Sequence, residues 1–260
     1  MQAVELYFSK VRIAVVGCGG TGSYLVPDLA RFIYSIGADR VSKFVITDGD
    51  QVEEKNLLRQ NFVPPDLNRN KAEVLAERYG RAFGINIGYY PRYVETEKEL
   101  DMLFSEEEEN YATFDVLVGV VDNNRTRQLF HRYFYRRYDL VYIDAGNALH
   151  DGQVAVGVRM GSTTAIPPVG EWYPDILEDS TSRFPSEVSC AEAVVSEPQS
   201  MMANRFSAAL VMGILAPLLQ EGRIYTYLTT FNSYFMTAKS RAVNGEVVSD
   251  EAKYLLKEVA

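Results

Sequence analysis

The chain has 260 residues, of which 47% are apolar and 23% charged, and these values are ordinary for a globular protein with a sizeable core. Its 26 basic and 35 acidic side chains give a net charge of −9, which argues against nucleic acid as a partner because that binding depends on basic residues. The two cysteines, Cys18 and Cys190, are too few for a four-cysteine zinc site within one chain and fit a reducing compartment.

Two features predict a cytoplasmic protein with no membrane contact. The N-terminal residues carry an early acid, Glu5, and no cleavage-site pattern, so they do not resemble a signal peptide. The longest apolar stretch, residues 206–219, is shorter than a bilayer span and contains Pro217.

The first half of the sequence alternates strand and helix patterns. Short apolar runs predict buried strands, and apolar residues at helical spacing predict helices between them. The predicted order is strand 12–17, helix 24–36, strand 43–47, helix 70–83, strand 86–94, strand 115–121, basic helix 125–138 and strand 140–145. Because strands joined through helices pair in parallel, this order predicts an α/β fold. We expect a Rossmann-like, doubly wound, mostly parallel sheet with helices on both faces.

The second half has a different composition. Residues 161–189 are polar and punctuated by prolines, which predicts a long connecting loop. A buried helix is predicted at 206–219, antiparallel strands at 224–238 and a short helix at 250–258. We therefore expect one domain over residues 1–260, with a nucleotide-binding core at 11–150, the loop at 161–189 and a C-terminal helix and strands at 190–260.

A glycine-rich turn joins the first predicted strand to the first predicted helix. Its sequence, Gly17-Cys18-Gly19-Gly20-Thr21-Gly22, fits the pattern G-x-G-x-x-G. Such glycines let the main chain approach a phosphate, and the helix N-terminus supplies free N–H groups. The pattern alone is weak, since nicotinamide, flavin and other nucleotides bind to it and glycines also permit a tight turn. Asp48, which ends the second strand, suits ribose hydroxyls but does not separate NAD from ATP.

Three charged residues favour ATP over NAD. Arg59 and Lys71 suit a triphosphate, the first as a planar fork and the second as a point charge. Asp122 follows the predicted strand at 115–121, and the ligand crevice of an open parallel sheet lies at such strand ends. A carboxylate beside a triphosphate is suited to holding Mg²⁺. Taken singly, Arg59 and Lys71 also fit solvated charges, and Asp122 also fits a helix cap.

These positions together resemble a known superfamily. The run Asp48-x-Asp50-x-Val52-x₃-Asn56-Leu57-x-Arg59-Gln60, followed by Lys71 and then by Asp122-Asn123, is similar to the ThiF/MoeB and ubiquitin-activating-enzyme superfamily. The match is good over about residues 11–150, and among members the chain looks most like the ThiF-related proteins of PRTRC cassettes. The resemblance implies adenylation of a carboxylate with ATP and Mg²⁺, most simply the C-terminal glycine of a ubiquitin-like or sulfur-carrier protein, with release of pyrophosphate.

The resemblance also implies roles for individual residues. Gly17, Gly19 and Gly22 would line the nucleotide, with Gly20 in the same turn. Asp48 would hold the ribose with Asp50 nearby, whereas Asn56, Arg59 and Lys71 would contact the phosphates. Gln60 would support that loop, and Asp122, next to Asn123, would bind Mg²⁺. Members usually form homodimers, so a homodimer is expected.

Cys190 matches the cysteine of the pattern Cys-x-x-x-Gly-Val, which in some members forms a covalent link to the activated protein. Val194 replaces the glycine of that pattern, and an inert, semi-buried cysteine fits equally well. Two further departures are the absence of C-x-x-C zinc ligands and of room for an N-terminal helix before residue 12.

Four functions remain open on this sequence. The first is adenylation of a ubiquitin-like protein, and the second is activation of a different carboxylate, as in tRNA-modifying relatives. An NAD-dependent oxidoreductase shares the glycines and Asp48 but leaves Arg59, Lys71 and Asp122 without a role. A nucleotide-binding regulatory module without turnover is the fourth.

Overall fold

The computed structural model of the chain describes residues 1–105, 113–187 and 200–259. The strands are β1 (Gln2–Glu5), β2 (Lys10–Val16), β3 (Val41–Thr47), β4 (Gly88–Tyr90), β5 (Thr113–Gly119), β6 (Leu140–Asn147), β7 (Asp151–Met160), β8 (Thr163–Ile166), β9 (Arg223–Ile224), β10 (Thr226–Asn232), β11 (Thr237–Ala242) and β12 (Leu256–Glu258). The α-helices are α1 (Gly20–Ile36), α2 (Lys71–Phe83), α3 (Glu97–Phe104), α4 (Asn124–Arg136), α5 (Val169–Trp172), α6 (Asp175–Glu178) and α7 (Met201–Glu221).

Most strands belong to one sheet, in which β2 lies between β5 and β3. Within the described residues the strand order is β11-β10-β7-β6-β5-β2-β3-β4, and β8 pairs with β7. The strands from β6 to β4 run parallel, whereas β7, β8, β10 and β11 are antiparallel additions. The chain winds from β2 to β3 and β4 on one side, then crosses to β5 and β6 on the other. The order therefore reverses between β2 and β5, the point where doubly wound sheets bind ligands.

Alternation along the central strands sends side chains to two apolar layers. In β2, Ile13 and Val15 face a layer formed with α1, α2 and α7. Ala14 and Val16 face the opposite layer, which contains buried residues of α3, α4, α5 and α6. This period of two is the pleat of a strand covered on both faces. The predicted doubly wound α/β fold with helices on both faces is confirmed. The antiparallel strands β7 and β8, which contribute to a mixed sheet, were not predicted.

Three predicted elements differ from the structure. The strand at 86–94 shrinks to β4, because Pro91 follows Tyr90 and has no N–H for a sheet hydrogen bond. The helix at 250–258 is wrong in type: Asp250–Leu255 forms a 3-10 helix, and β12 pairs with β1, so tertiary pairing overrides the local pattern. The described part of the loop at 161–189 contains β8, α5, α6 and a 3-10 helix.

Helix α7 is longer than the apolar stretch from which it was predicted. With 21 residues it is long and apolar enough to cross a membrane by length and composition, so the argument from its shortness is wrong. In the structure α7 contacts α1, β6 and β7, and half of its most apolar window is buried. A core helix has this same composition, and the cytoplasmic location stays a prediction.

Candidate functional site

A cleft of about 1390 Å³ opens at the carboxyl ends of β2 and β5, where the strand order reverses. Its walls are the turns that follow β2, β3 and β5, the β6–β7 hairpin, and parts of β10 and β11. The predicted site residues that line it are Gly17, Gly19, Gly20, Asp48, Asp50, Asn56, Arg59, Gln60, Lys71, Asp122 and Asn123. Two predicted residues are not brought there: Gly22 packs behind the turn, and Cys190 lies outside the described residues.

The glycine turn is shaped by main-chain contacts that leave no room for side chains. Gly17 has φ +102°, and a Cβ there would lie 2.6 Å from the carbonyl oxygen of Val120. A Cβ at Gly22 would lie 2.0 Å from the carbonyl oxygen of Gly17. Gly22 therefore packs against the main chain of Gly17 and is not among the residues that line the cleft, so its contact with a nucleotide stays a prediction.

The N-terminus of α1 points its first turn toward the cleft. Gly19 is the N-cap residue and has no side chain to accept hydrogen bonds from the first turn, which also carries no acid. The main-chain N–H groups of this turn are therefore left for a ligand, and the helix dipole favours an anion there. A phosphate fits this position.

Asp48 ties the end of β3 to the glycine turn. Its carboxylate accepts hydrogen bonds from the main-chain N–H groups of Cys18 at 2.7 Å and Asp50 at 2.8 Å. The N-cap residue of α2, Asn70, donates from its amide to the carbonyl oxygen of Asp48 at 2.8 Å. This arrangement brings the start of α2, where Lys71 lies, against the same carboxylate.

Lys71 is the buried cation of the site. Its side chain is only 6% exposed, and Nζ lies 2.7 Å from the Oδ2 atom of Asp50. Burial alone would lower the pKa of Lys71, but Asp48 and Asp50 outweigh it and raise that pKa, so the amine is charged. Lys71 is thus held at the cleft wall by two acids instead of being the solvated charge that a lone lysine suggests.

The two acids beside Lys71 have pKa values that move in opposite directions. Burial raises the pKa of Asp48 from 3.8 to about 6, although Lys71 opposes the rise. Burial also acts to raise the pKa of Asp50, but Lys71 and hydrogen bonds from Lys71 and Tyr93 lower it overall. Asp48 is therefore the acid of this pair that takes up a proton first as the pH falls toward 6, whereas Asp50 stays ionised to lower pH.

The loop after β3 supplies Asn56, Arg59 and Gln60. Asn56 is buried, and its side-chain oxygen accepts from the main-chain N–H of Glu53 at 2.9 Å, which shapes the 3-10 helix Glu54–Asn56. Arg59 is half-buried at the cleft wall. The Oε1 atom of Gln60 is buried and has no hydrogen-bond partner among the described residues. An orphaned polar atom in the cleft wall is the sign of a site built for a polar ligand.

Asp122 and Asn123 follow β5 at the cleft rim. The side chain of Asn123 accepts from the main-chain N–H of Thr126 at 2.8 Å and so caps α4. The alternative role of Asp122 as a helix cap is therefore wrong, and its carboxylate is exposed to the cleft. Within the described ranges no group of three or more His, Cys, Asp or Glu side chains forms a metal site. One carboxylate still fits Mg²⁺, which takes most of its ligands from water and phosphate.

Arg127 and Tyr93 are two of the cleft-lining side chains that the sequence does not predict as site residues. Arg127 lies in the predicted basic helix 125–138, and it is buried and bonded to Asp144 at 3.2 Å and to the carbonyl oxygen of Val121 at 2.6 Å. Tyr93 was placed in a strand, yet its ring lies over Gly49 and its hydroxyl donates to Asp50. The sequence does carry one indication that Arg127 is buried: its helical spacing places it on the same face of α4 as Leu129 and Phe130.

A family model described as the ThiF family matches residues 5–248. The chain belongs to the ThiF family. Comparison with curated proteins gives no match.

Solved structures share the fold at low sequence identity. A crystal structure of E. coli MccB with ATP is 18% identical with a TM-score of 0.62, covering 90% of this chain and 64% of that one. MccB with AMPCPP and selenomethionine MccA is 17% identical with a TM-score of 0.63, covering 93% and 66%. Selenomethionine PaaA is 14% identical with a TM-score of 0.59, covering 93% and 65%. The chain thus spans about two thirds of the length of these proteins.

The steric argument for Gly22 predicts an outcome for Gly22→Ala. The added methyl group collides with main chain that cannot move aside, so we expect a loss of about 3 kcal/mol in the free energy of unfolding, measured with urea. Gly213→Ala is the matched control, because Gly213 is also helical and a Cβ placed there would have no other atom within 4 Å. That control should gain about 0.5–1 kcal/mol from helix propensity. Equal stability of Gly22→Ala and the wild type would contradict the packing described.

The pKa of Asp48 gives a second prediction. Carbon-13 NMR of labelled aspartates should show Asp48 titrating near pH 6. Because this pKa exceeds 3.8, the stability that Asp48 contributes is full below about pH 4 and is lost as the pH rises to about 6. Lys71→Met removes the opposing charge and should raise the midpoint further. Lys55→Met, at the cleft rim, is the control and should leave it unchanged; a midpoint near 4 in the wild type would refute the assignment.

Proposed function

We propose that the chain binds ATP with Mg²⁺ in this cleft and transfers AMP to a carboxylate of a small protein or peptide. One observation carries the proposal: Arg59, Lys71 and Asp122 line the same cleft as the glycine turn, at the reversal of strand order. Membership of the ThiF family and the fold shared with MccB, a microcin C7 biosynthetic enzyme crystallised with ATP, support it.

Each group has a role that follows from its chemistry. The N–H groups at the start of α1 and the cations Arg59 and Lys71 would bind the phosphates, and Asp48 would bind the ribose. Gln60 would offer its unpaired buried oxygen to a donor of the nucleotide or of its water shell. Asp122 would hold Mg²⁺, which when bound supplies positive charge to the phosphates.

The reaction is a substitution at the α-phosphorus. An oxygen of the substrate carboxylate bonds to that phosphorus, and the bond from it to the oxygen bridging to the β-phosphate breaks. The electron pair leaves with pyrophosphate, and an acyl adenylate remains. Arg59 and Lys71 stabilise the negative charge that grows on the leaving group. Little covalent work falls to the protein, so the rate comes from alignment, which can contribute up to about 7–11 kcal/mol.

The finer identity of the substrate is part of the proposal. We infer a protein C-terminus, such as the terminal glycine of a ubiquitin-like or sulfur-carrier protein, because the cleft continues from the glycine turn to Gly146 and Gly152. The side chains of Arg127, Gln153 and Phe231 occupy the space that a Cβ at these glycines would fill. The two glycines thus admit polar groups of Arg127 and Gln153 to the part of the cleft where a chain terminus would lie. MccB, whose structures include MccA, offers a parallel of a chain bound beside a nucleotide site.

Other parts of the proposal rest on the resemblance alone. A homodimer and a relation to PRTRC cassettes remain predictions. A covalent step at Cys190 is also a prediction, and Cys18 is no substitute because burial, followed by the charge of Asp48, raises the pKa of its thiol well above the usual value. Loss of a reducible adduct in Cys190→Ala, with adenylation retained, would establish the covalent step.

Substitutions of Asp122 and Arg59 test the proposed roles. Asp122→Asn and Arg59→Gln should each lower ATP–pyrophosphate exchange by at least about a hundredfold, because charges aimed at the phosphates are lost while side-chain size is kept. Asp28→Asn and Arg81→Gln change the same charges at exposed helical positions outside the cleft and are the matched controls. Exchange at the wild-type rate in both cleft variants would refute the roles. Lys71→Ala is a poorer test, since it leaves Asp48 and Asp50 without their cation.

Calorimetric titration separates the alternatives by ligand. We expect ATP with Mg²⁺ to bind and NAD not to bind, because Lys71 and Arg59 suit a triphosphate. Tight binding of NAD alone would favour the oxidoreductase. ATP binding without pyrophosphate exchange, in the presence of a small protein ending in Gly-Gly, would favour a regulatory module.

A further inference from the structure

The main chain around Arg59 is held by side chains from two other elements. On one side, the main-chain N–H of Asn61 donates to the Ser23 hydroxyl at 3.0 Å, and the Asn61 amide donates to the Ser23 carbonyl oxygen at 3.1 Å. On the other side, Nδ2 of Asn204 donates to the carbonyl oxygen of Arg59 at 3.3 Å. The Arg59 loop is therefore attached to α1 through Ser23 and to α7 through Asn204.

Asn204 belongs to a network that also reaches the glycine turn. It is fully buried in the first turn of α7, and its Oδ1 atom accepts from Nδ2 of Asn147 at 3.0 Å. Oδ1 of Asn147 in turn accepts from the hydroxyl of Thr21 at 3.0 Å. A Cβ at Gly20 would lie 2.5 Å from Oδ1 of Asn204, so the amide packs directly on the turn.

The side-chain nitrogen of Asn204 thus donates to Arg59 and its oxygen accepts from Asn147, and these two partners belong to different walls of the cleft. A buried amide with a donor and an acceptor both satisfied has one preferred orientation, because turning it over would leave both partners unpaired. The side chain therefore fixes the separation between the Arg59 main chain and the N-terminus of α1.

We propose that Asn204 is a positioning residue, which holds Arg59 at the distance from the glycine turn that lets both address the same phosphates. The inference rests on the proposed function, in which Arg59 and the turn bind phosphates. Asn204 acts on Arg59 through the carbonyl oxygen of Arg59, is itself held in place by Asn147 and Gly20, and lies behind the cleft wall rather than in it.

The first experiment needs no nucleotide. Trypsin cuts after arginine, and Leu58, beside Arg59, is 82% exposed, so the loop is at the surface. Asn204→Ala removes the donor to the Arg59 carbonyl, and we expect cleavage after Arg59 to become about tenfold faster under native conditions, read by mass spectrometry. An unchanged cleavage rate would overturn the positioning role whether or not ATP binds.

The matched control lies one turn along the same helix. Ser207 is fully buried, and its hydroxyl has no hydrogen-bond partner in the described part of the chain. Ser207→Ala should leave cleavage after Arg59 at the wild-type rate. Equal acceleration in both variants would mean that destabilisation of α7, and not loss of the Asn204 hydrogen bond, exposes the loop, and it would overturn the positioning role. If Asn204→Ala folds poorly, Asn204→Ser replaces it, since its short side chain cannot reach the Arg59 carbonyl.

The second experiment asks whether the position of Arg59 matters to the nucleotide. Asn204→Ala should weaken ATP binding about tenfold in the wild type and cause no further loss in an Arg59→Gln background, because its effect acts through Arg59. Equal losses in both backgrounds would overturn the inference. Absence of ATP binding by the wild-type protein would instead refute the proposed function, and the cleavage assay would still decide whether Asn204 fixes the loop.

Discussion

The cleft depends on the contact between the glycine turn and the main chain of its neighbours. Asp48 accepts from the N–H groups of Cys18 and Asp50, and so joins the ends of β2 and β3. Gly17 approaches the Val120 carbonyl so closely that only a glycine fits, and this brings the end of β5 to the same place. The positions of Arg59, Lys71 and Asp122 follow from these contacts, because each residue lies on a segment that leaves one of the joined strands.

The charges of the site are arranged in alternation rather than as a single basic patch. Lys71 is buried between Asp48 and Asp50, and its charge is what permits two carboxylates to lie close together. Arg127 is likewise balanced by Asp144. A protein with a net charge of −9 can therefore keep Lys71 and Arg127 at the cleft wall, since both are paired with local acids. The raised pKa of Asp48 is the energetic cost of this arrangement.

Much of the fold could be predicted from the sequence because its strands are buried on both faces and read as continuous apolar runs. Asp48 and Asp122 could be placed at the cleft because each follows a buried strand. The residues of the loop after β3 and Lys71 at the start of α2 were expected there from the family resemblance. Elements fixed by distant partners could not be predicted in this way. An example is β12, whose pairing with β1 at the other end of the chain overrides a helical pattern.

The side chains that were missed share one property: each has hydrogen-bond partners on other elements of the fold. Asn204 contacts Arg59 and Asn147, and Arg127 contacts Asp144 and Val121. Apart from the helical spacing that places Arg127 on the buried face of α4, the local sequence does not distinguish these residues from ordinary polar positions on a helix. Their role exists only once the sheet brings the segments together. Motifs identify the groups that touch a ligand, whereas the groups that hold them at the correct separation become visible in the folded chain. In this protein Asn204 of α7 holds the separation between the Arg59 loop and α1, and α7 contains no residue of the family motif that runs from Asp48 to Asn123.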